Sequence, residues 1–227
     1  PMPGRLWHGR LTDGRIRVDP AVRQIRRFDR MLESAAEVLL ADRYPRFPEV
    51  APRRATPSPR LYQQLLEEFV IPGSLPLTEA RSRSLAASID GLAVPLGLVE
   101  VKRGSYVFSP DTAGYPLLAH LFSLLSPAGP TLLADVLAGL KQGPFGLPQD
   151  TALFLIASLA AGGLLTALRG GKAIPLEFLN LPAIEKAEEL RLGELIGEAD
   201  SVTLRKECLF LPSATGWDSF GLKQQRE

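Results

Sequence analysis

Few side chains in this sequence have the type and the spacing that catalysis or metal binding requires. An imidazole can act as a general base or as a metal ligand, but the two histidines, His8 and His120, lie in separate segments and are best explained as structural. Cys208 is the only cysteine, so the sequence allows neither an internal disulfide nor a cysteine-based zinc site. No Ser/His/Asp or Cys/His arrangement can be assigned. The sequence therefore predicts a chain that is not an enzyme and that holds no cofactor and no metal.

The pattern of a phosphate-binding loop is not met either. Such a loop ends in Gly-Lys followed by Ser or Thr, whose hydroxyl contacts the magnesium ion. The sole Gly-Lys pair is Gly171-Lys172, and Ala173 follows it. Thr166 stands where the first glycine of the loop should be. The segment is therefore not predicted to bind ATP.

Basic side chains are the best candidates for contact with a partner, because Lys and Arg contact nucleic-acid phosphate. Two pairs lie at the expected turns of β-hairpins, and a third pair lies two residues apart in an expected helix. These candidates are Lys102, Arg103, Arg169, Lys172, Arg81 and Arg83. Basic hairpin tips are also common as solvated turns, so nucleic-acid contact is one of two interpretations.

Charge is distributed unevenly along the chain. Residues 1–60 contain 13 Arg, no Lys and 7 acidic residues, a net charge of +6, whereas residues 61–227 contain 13 basic and 18 acidic residues, a net charge of −5. The basic segment could attract phosphate or dock against the acidic remainder. Docking or simple solvation is favoured because the arginines alternate with acids such as Asp13, Asp19 and Glu33.

Hydrophobic periodicity places these residues on a set of helices and two hairpins. Helical spacing and capping signals predict helices over 26–42, 61–70, 78–90, 116–125, 131–142 and 149–161. Thr78 and Thr131 are expected to cap two of them. Strand-forming residues on either side of a tight turn predict hairpins over 96–110 and 164–179, which turn at 102–105 and 169–172. The acidic run 183–200 is expected to be a solvated helical face.

The loop QGPFGLPQD, residues 142–150, separates two of the apolar helices. Gly143 is expected to take the positive φ that ends the first helix, and Pro144 and Pro148 stop helix formation between them. Phe145 is expected to enter the core. The loop is thus predicted to be a corner that holds two helices at a steep angle.

The order of helix, corner, helix and two-stranded wing occurs twice, and Gly97 and Gly163 mark corresponding positions in the two copies. This order is that of a winged helix-turn-helix. The predicted fold class is therefore mainly α with small β-hairpins, built as tandem winged-helix-like modules. The predicted domains are a basic N-terminal segment with one helix and a Pro-rich connector (1–60), a first module (61–115), a second module (116–182) and a C-terminal extension (183–227).

The helix at the position of the DNA-recognition helix in the second module lacks the side chains that bind to bases. Base readout uses Arg, Lys, Asn or Gln, and DTALFLIASLAA (150–161) contains none of them. Its only charge is that of Asp150, which phosphate would repel. We expect this helix to be turned inward, so that hairpin tips and the basic N-terminal segment are left to meet a partner.

Two stretches, YPRFPEV (44–50) and GPFGLPQDTALFLIASLAAGGLL (143–165), resemble parts of the very large bacterial P-loop proteins of phage-defence islands, the BREX-type ATPases and their uncharacterised relatives. The shared features are a Tyr/Phe-Pro-x-x-Pro segment (Tyr44, Pro45, Pro48), a Pro-aromatic-Gly corner (Pro144, Phe145, Gly146) and a Gly-Leu-Leu hairpin start (163–165). Relatives often carry Trp after the corner glycine, where this sequence has Leu147. The resemblance covers about half of the chain and implies a parent protein whose ATPase activity lies outside it, because the P-loop is absent.

These observations predict a non-catalytic assembly or interaction domain of a larger bacterial protein of a phage-defence or DNA-transacting complex. The alternative is a sequence-tolerant or regulatory DNA-binding winged-helix protein that uses the basic N-terminal segment. Expected partners are other domains of a parent protein or subunits of a complex, and DNA in the alternative. No apolar run approaches the roughly 18 to 20 residues that span a bilayer, and the lone cysteine fits a reducing compartment, so a cytoplasmic location is expected.

Overall fold

The computed structural model describes residues 40–53, 57–112 and 114–193. Residues 40–43 are helical, which is the end of the helix predicted over 26–42. The rest of that helix, His8, Cys208 and the part of the acidic run after 193 lie outside the described residues.

After the helical residues 40–43, the first half of the described chain contains four further helical segments and three strands. They are α1 (Phe47–Val50), α2 (Pro59–Leu65, prolonged by a π-helical turn over Leu66–Val70), β1 (Ser74–Pro76), α3 (Leu77–Ser82), α4 (Ala86–Ser88, prolonged by wider and tighter turns over Ile89–Ala93 and Val94–Leu96), β2 (Val99–Lys102) and β3 (Ser105–Phe108). The strands form an antiparallel sheet in the order β1-β3-β2. In this sheet Tyr106 pairs with both Leu75 and Val101.

The second half of the described chain contains four helices, one 3₁₀ turn and four strands. Its elements are α5 (Pro116–Ser123), β4 (Thr131–Leu132), α6 (Leu133–Gln142), α7 (Gln149–Ala161), β5 (Leu165–Arg169), β6 (Lys172–Ala173), a 3₁₀ turn (Leu176–Phe178), α8 (Leu181–Glu185) and β7 (Glu189–Leu192). The strands form an antiparallel sheet in the order β4-β7-β5-β6. Leu190 of β7 pairs with Thr131 on one side and with Ala167 on the other.

The predicted fold class, mainly α with small β-hairpins as tandem winged-helix-like modules, was wrong. About 51% of the described residues are helical and 16% lie in strands, in two antiparallel sheets, so the fold is α+β. Both predicted hairpins exist, but each is part of a larger sheet. The run predicted to be an acidic helical face contains β7, where Leu190 is buried between the more exposed Glu189 and Arg191. This alternation suits a strand with one buried face.

Two predicted helix caps were also wrong. The helix predicted to start at Thr78 starts at Leu77, with Pro76 at the cap position and no side-chain cap. Ser84 has a φ of 59° and interrupts the predicted helix 78–90, which is therefore divided into α3 and α4. Thr131 lies in β4, and its Oγ1 accepts a hydrogen bond from the backbone N–H of Ser126 at 2.8 Å.

The corner between α6 and α7 is built differently from the prediction in one respect. Gly143 has a φ of −69°, and the positive φ of the corner, 58°, belongs to Gly146. A Cβ on Gly143 would lie 2.6 Å from His120 Nε2, so close packing explains the glycine at that position. Phe145 is buried, as predicted.

The helix α7 lies at the centre of the core. Ten of its 13 residues are buried, and it contacts α2, the π-helical turn after α2, α6, α8 and β5. One hydrophobic cluster contains buried side chains from both halves of the chain. The prediction that this helix is turned inward is confirmed, whereas the predicted domain boundaries stay a prediction.

A buried tyrosine in the first sheet gives the protein an alkaline pH dependence. The Tyr106 hydroxyl donates a hydrogen bond to Asp90 Oδ1 at 2.8 Å. Burial, and then this hydrogen bond to a carboxylate, raise the pKa of Tyr106 from 10.0 to about 12. Since the folded state favours the neutral phenol, this contribution to stability is complete below pH 10 and is lost as the pH rises through about 12.

The change Tyr106→Phe is therefore expected to lower the free energy of unfolding by about 1.5 kcal/mol near neutral pH. The difference between the two proteins should shrink as the pH rises above 10. Urea unfolding at several pH values checks this expectation, and absorbance titration should show one fewer phenol ionising near pH 12. If the phenol missing from the variant is one that ionises near pH 10, the assignment is wrong.

Candidate functional site

The hairpin β2–β3 places two of the predicted contact residues at its tip. Arg103 and Gly104 have φ values of 47° and 78°, so both central residues of the two-residue turn are left-handed, as tight hairpin turns require. Both Lys102 and Arg103 are exposed. Lys102 Nζ lies 2.7 Å from Glu100 Oε2, so its charge is already compensated by a neighbour on the same strand.

The helix α3 carries the next pair of predicted residues beside this tip. The backbone N–H of Leu77, at the start of α3, donates to the carbonyl oxygen of Gly104 at 3.0 Å. Arg83 forms ion pairs with Glu79 and Glu68. Arg81 is exposed and forms no side-chain ion pair with any described residue. The four predicted contact residues of the first half thus lie on the β2–β3 hairpin and on or directly after α3, two elements that contact each other.

The hairpin β5–β6 carries the remaining pair. Gly170 and Gly171 have φ values of 55° and 71° and form the tight turn. Arg169 and Lys172 flank this turn and are exposed. The backbone N–H of Gly170 donates to Glu188 Oε2 at 3.0 Å, so a carboxylate lies at the turn itself. This pair belongs to the second sheet and is not in the group formed by the first hairpin and α3.

Four of the six predicted contact residues have charges that are not engaged in an ion pair within the described part of the chain, and these charges are available to a partner. Arg83 and Lys102 are engaged in ion pairs whose side chains are about half exposed, and such surface pairs contribute at most about 1 kcal/mol. Arg81, Arg103, Arg169 and Lys172 form no side-chain ion pair within the described part of the chain. Contact of these residues with nucleic acid stays a prediction.

A groove of about 920 Å³ lies beside Arg169. Its walls come from the start of α2, the first turns of α7, the end of β5 and α8. Arg169, Lys186, Asp150 and Glu185 place two positive and two negative charges around it. The side-chain oxygen of Gln63 accepts a hydrogen bond from the backbone N–H of Leu181 at 2.9 Å, which fastens α8 to α2.

A second groove of about 750 Å³ continues from the first one, because both include Gln63 and Asn180. We call it the acidic groove; it is lined by Gln63, Glu67, Ile71, Pro175, Leu176, Glu177, Leu179 and Asn180. Beside it, the 3₁₀ turn exposes Phe178 and Leu176, residues that are 61% and 39% accessible to solvent. Neither groove was predicted from the sequence, because the residues of each groove come from segments far apart in the chain and no local pattern joins them.

The side chains that could bind a metal ion are not grouped together in the described part of the chain. The Nε2 atom of His120 is buried without a hydrogen-bond partner there, and its ring lies 5.7 Å from that of Phe145. No three or more His, Cys, Asp or Glu side chains among residues 40–53, 57–112 and 114–193 are grouped so that they could hold a metal ion. The helices of this part are also all too short or too polar to cross a bilayer.

Comparisons with protein-family models, with curated proteins and with solved structures found no match. The geometry of the chain itself is therefore what supports a function: two exposed hairpin tips with basic residues, a mixed-charge groove, and an acidic groove with exposed apolar residues beside it.

Proposed function

We propose that this chain is a non-catalytic interaction domain that assembles with other parts of a larger bacterial protein or complex. The observation that carries the proposal is the exposure of Leu176 and Phe178 beside the acidic groove. Burying a large apolar side chain contributes about 1.5 to 3 kcal/mol. Aromatic residues are enriched at protein interfaces, where a few of them often contribute most of the binding energy.

Because α7 is buried, a role in binding a partner protein is better supported than a role in which this helix recognises DNA bases. A helix that reads DNA must present polar side chains to base edges in the major groove, and α7 is enclosed by the core. Basic hairpin tips can contact phosphate, but phosphate contacts position a protein without specifying a sequence. The surface therefore favours an assembly role in which any DNA contact is auxiliary.

The resemblance of residues 44–50 and 143–165 to large P-loop proteins of phage-defence islands supports the wider context of this proposal. In that context the chain is part of a cytoplasmic, DNA-transacting or phage-defence complex, and ATP hydrolysis belongs to other parts of the parent protein. The single cysteine of the chain is consistent with a reducing compartment.

A second candidate function is sequence-tolerant or regulatory DNA binding. The observation that favours it is the set of four exposed cations without side-chain ion pairs in the described part, namely Arg81, Arg103, Arg169 and Lys172. Binding through phosphate contacts would weaken steeply as salt increases, because each neutralised phosphate releases counterions.

Two experiments on the same protein preparations separate these candidates. The first is a gel shift with duplex DNA over a salt series, comparing the wild type with Arg103→Ala/Arg169→Ala. The second is co-purification of the tagged chain from its native cells, comparing the wild type with Phe178→Ser and with Val101→Ser. Val101 is a matched control because its side chain is 57% exposed but lies on β2, in the other sheet.

The assembly proposal expects a stoichiometric protein partner that is lost from Phe178→Ser and kept by Val101→Ser. It also expects at most weak DNA binding at low salt, since any DNA contact is auxiliary in this role. Strong DNA binding that falls steeply with salt and weakens in Arg103→Ala/Arg169→Ala, together with no partner sensitive to Phe178→Ser, would overturn it in favour of the second candidate.

A further inference from the structure

We propose that the acidic groove binds a segment of a partner protein in which apolar side chains are flanked by Lys or Arg. This inference rests on the proposed interaction function and names the surface and the chemistry of its partner.

The shape of the surface suits a partner with more than one apolar side chain. Ile71, Leu176 and Leu179 supply the apolar part of the acidic groove. Leu176 and Leu179 also line a smaller hollow of about 310 Å³ on the side of β5, together with Leu165 and Ile174. Leu176 and Leu179 therefore line both the acidic groove and the smaller hollow, so that neighbouring apolar side chains of one bound segment can enter both.

The negative charge of the groove determines that its partner segment must be positively charged. Glu67 and Glu177 line it, and no Lys or Arg is among the described residues that do so. The Gln63 side-chain amide donates to Glu67 Oε1 at 2.6 Å, which holds that carboxylate in place. An acidic segment or a nucleic-acid backbone would meet two like charges here, whereas basic residues beside an apolar anchor would find opposite charges.

The backbone of the 3₁₀ turn points to recognition through side chains. The N–H of Phe178 donates to the carbonyl oxygen of Pro175 at 3.0 Å, and that of Leu179 donates to Leu176 at 3.1 Å. Pro175 has no N–H to offer. Since this segment is folded into a 3₁₀ turn, it offers no extended strand edge to which a partner could add a β-strand, and a side-chain-driven mode remains.

Selection from a random peptide library displayed on phage tests the proposal. The targets are the wild-type chain, Glu67→Lys/Glu177→Lys, Phe178→Ser, and a control with the same change in net charge, Glu100→Lys/Asp135→Lys, whose residues do not line the groove. Peptides selected on the wild type should combine Leu, Ile, Phe or Met with Lys or Arg. Their affinity for Glu67→Lys/Glu177→Lys and for Phe178→Ser should be at least about tenfold lower than for the wild type, a difference of about 1.4 kcal/mol. Their affinity for the control should equal that for the wild type.

The charge-reversed target should in turn select peptides rich in Asp and Glu. Selection of peptides without an excess of basic residues, equal binding to the groove variants, or no selection at all on the wild type would overturn the proposal. The proposed function would survive that failure if a native partner were still lost from Phe178→Ser, because only the chemistry of the partner segment would then be wrong.

Discussion

The change Gly97→Ala is expected to lower the free energy of unfolding by about 3 kcal/mol, since two costs act at the same position. Gly97 has a φ of 73°, a left-handed conformation that costs a residue with a Cβ about 1 kcal/mol. A Cβ at this position would also overlap the ring of Tyr115. The ring has little freedom to move, because its hydroxyl donates a hydrogen bond to the carbonyl oxygen of Pro95.

The matched control is Gly104→Ala, at the tip of the hairpin β2–β3. Gly104 has a φ of 78°, but a Cβ there would have no atom within 4 Å, so only the backbone cost of about 1 kcal/mol applies. Urea unfolding of the two variants measures the difference. Equal losses would contradict the clash with Tyr115, and so would an undiminished effect of Gly97→Ala in a Tyr115→Ala background.

The change Phe154→Ala is expected to cost about 3 to 5 kcal/mol, because it empties the centre of the core. Phe154 is fully buried on α7, and its ring is stacked on that of Tyr62 with the ring centroids 4.7 Å apart. The Tyr62 hydroxyl and Thr151 Oγ1 share a hydrogen bond of 2.8 Å, which fixes α2 against α7. The lost ring therefore affects the contact between the two halves of the chain.

The control for this prediction is the same substitution at an exposed site. Phe178→Ala should change stability by no more than about 0.5 kcal/mol, since most of that side chain is already in water. If Phe154→Ala fails to fold, Phe154→Leu should give a smaller and measurable loss of about 1 to 2 kcal/mol. Equal effects of the alanine variants at 154 and 178 would show that the core is not organised around α7.

Local features of the fold could be predicted from the sequence because they depend on neighbouring residues. Gly104 and the pair Gly170-Gly171 permit positive φ, and each turn lies between strand-forming residues, so both hairpin turns were predicted correctly. The hairpin predicted over 164–179 is shorter than expected, because its second strand is only Lys172–Ala173 and a 3₁₀ turn follows at Leu176–Phe178. The continuous apolar run of α7 likewise indicated a helix buried on all sides. Such features need no knowledge of distant segments.

The strands that join the hairpins into sheets could not be predicted in the same way. The short strands β1 and β4 contain three and two residues, too few for an alternating pattern to be recognised. The charged residues of β7 gave it the composition of a helical surface, but its pairing with β4 and β5 buries Leu190. Tertiary contact decided these segments, against their local preference.

The candidate site was predicted only in part for a related reason. Arg169 was chosen as the tip of a basic hairpin, and the structure places it beside the larger groove. Glu67 and Glu177, which give the acidic groove its charge, come from segments 110 positions apart. Only the packing of α2 against the segment that follows β6 brings them together, and no pattern along the sequence contains that contact.

Native-state hydrogen exchange of Phe154→Ala shows whether both halves of the chain are built around α7. The amides to compare are those of the paired strands β3, in the first sheet, and β5, in the second. We expect the slowest amides of both strands to lose protection by the same free energy, the full cost of the substitution. A loss confined to β5, with β3 as protected as in the wild type, would contradict this expectation.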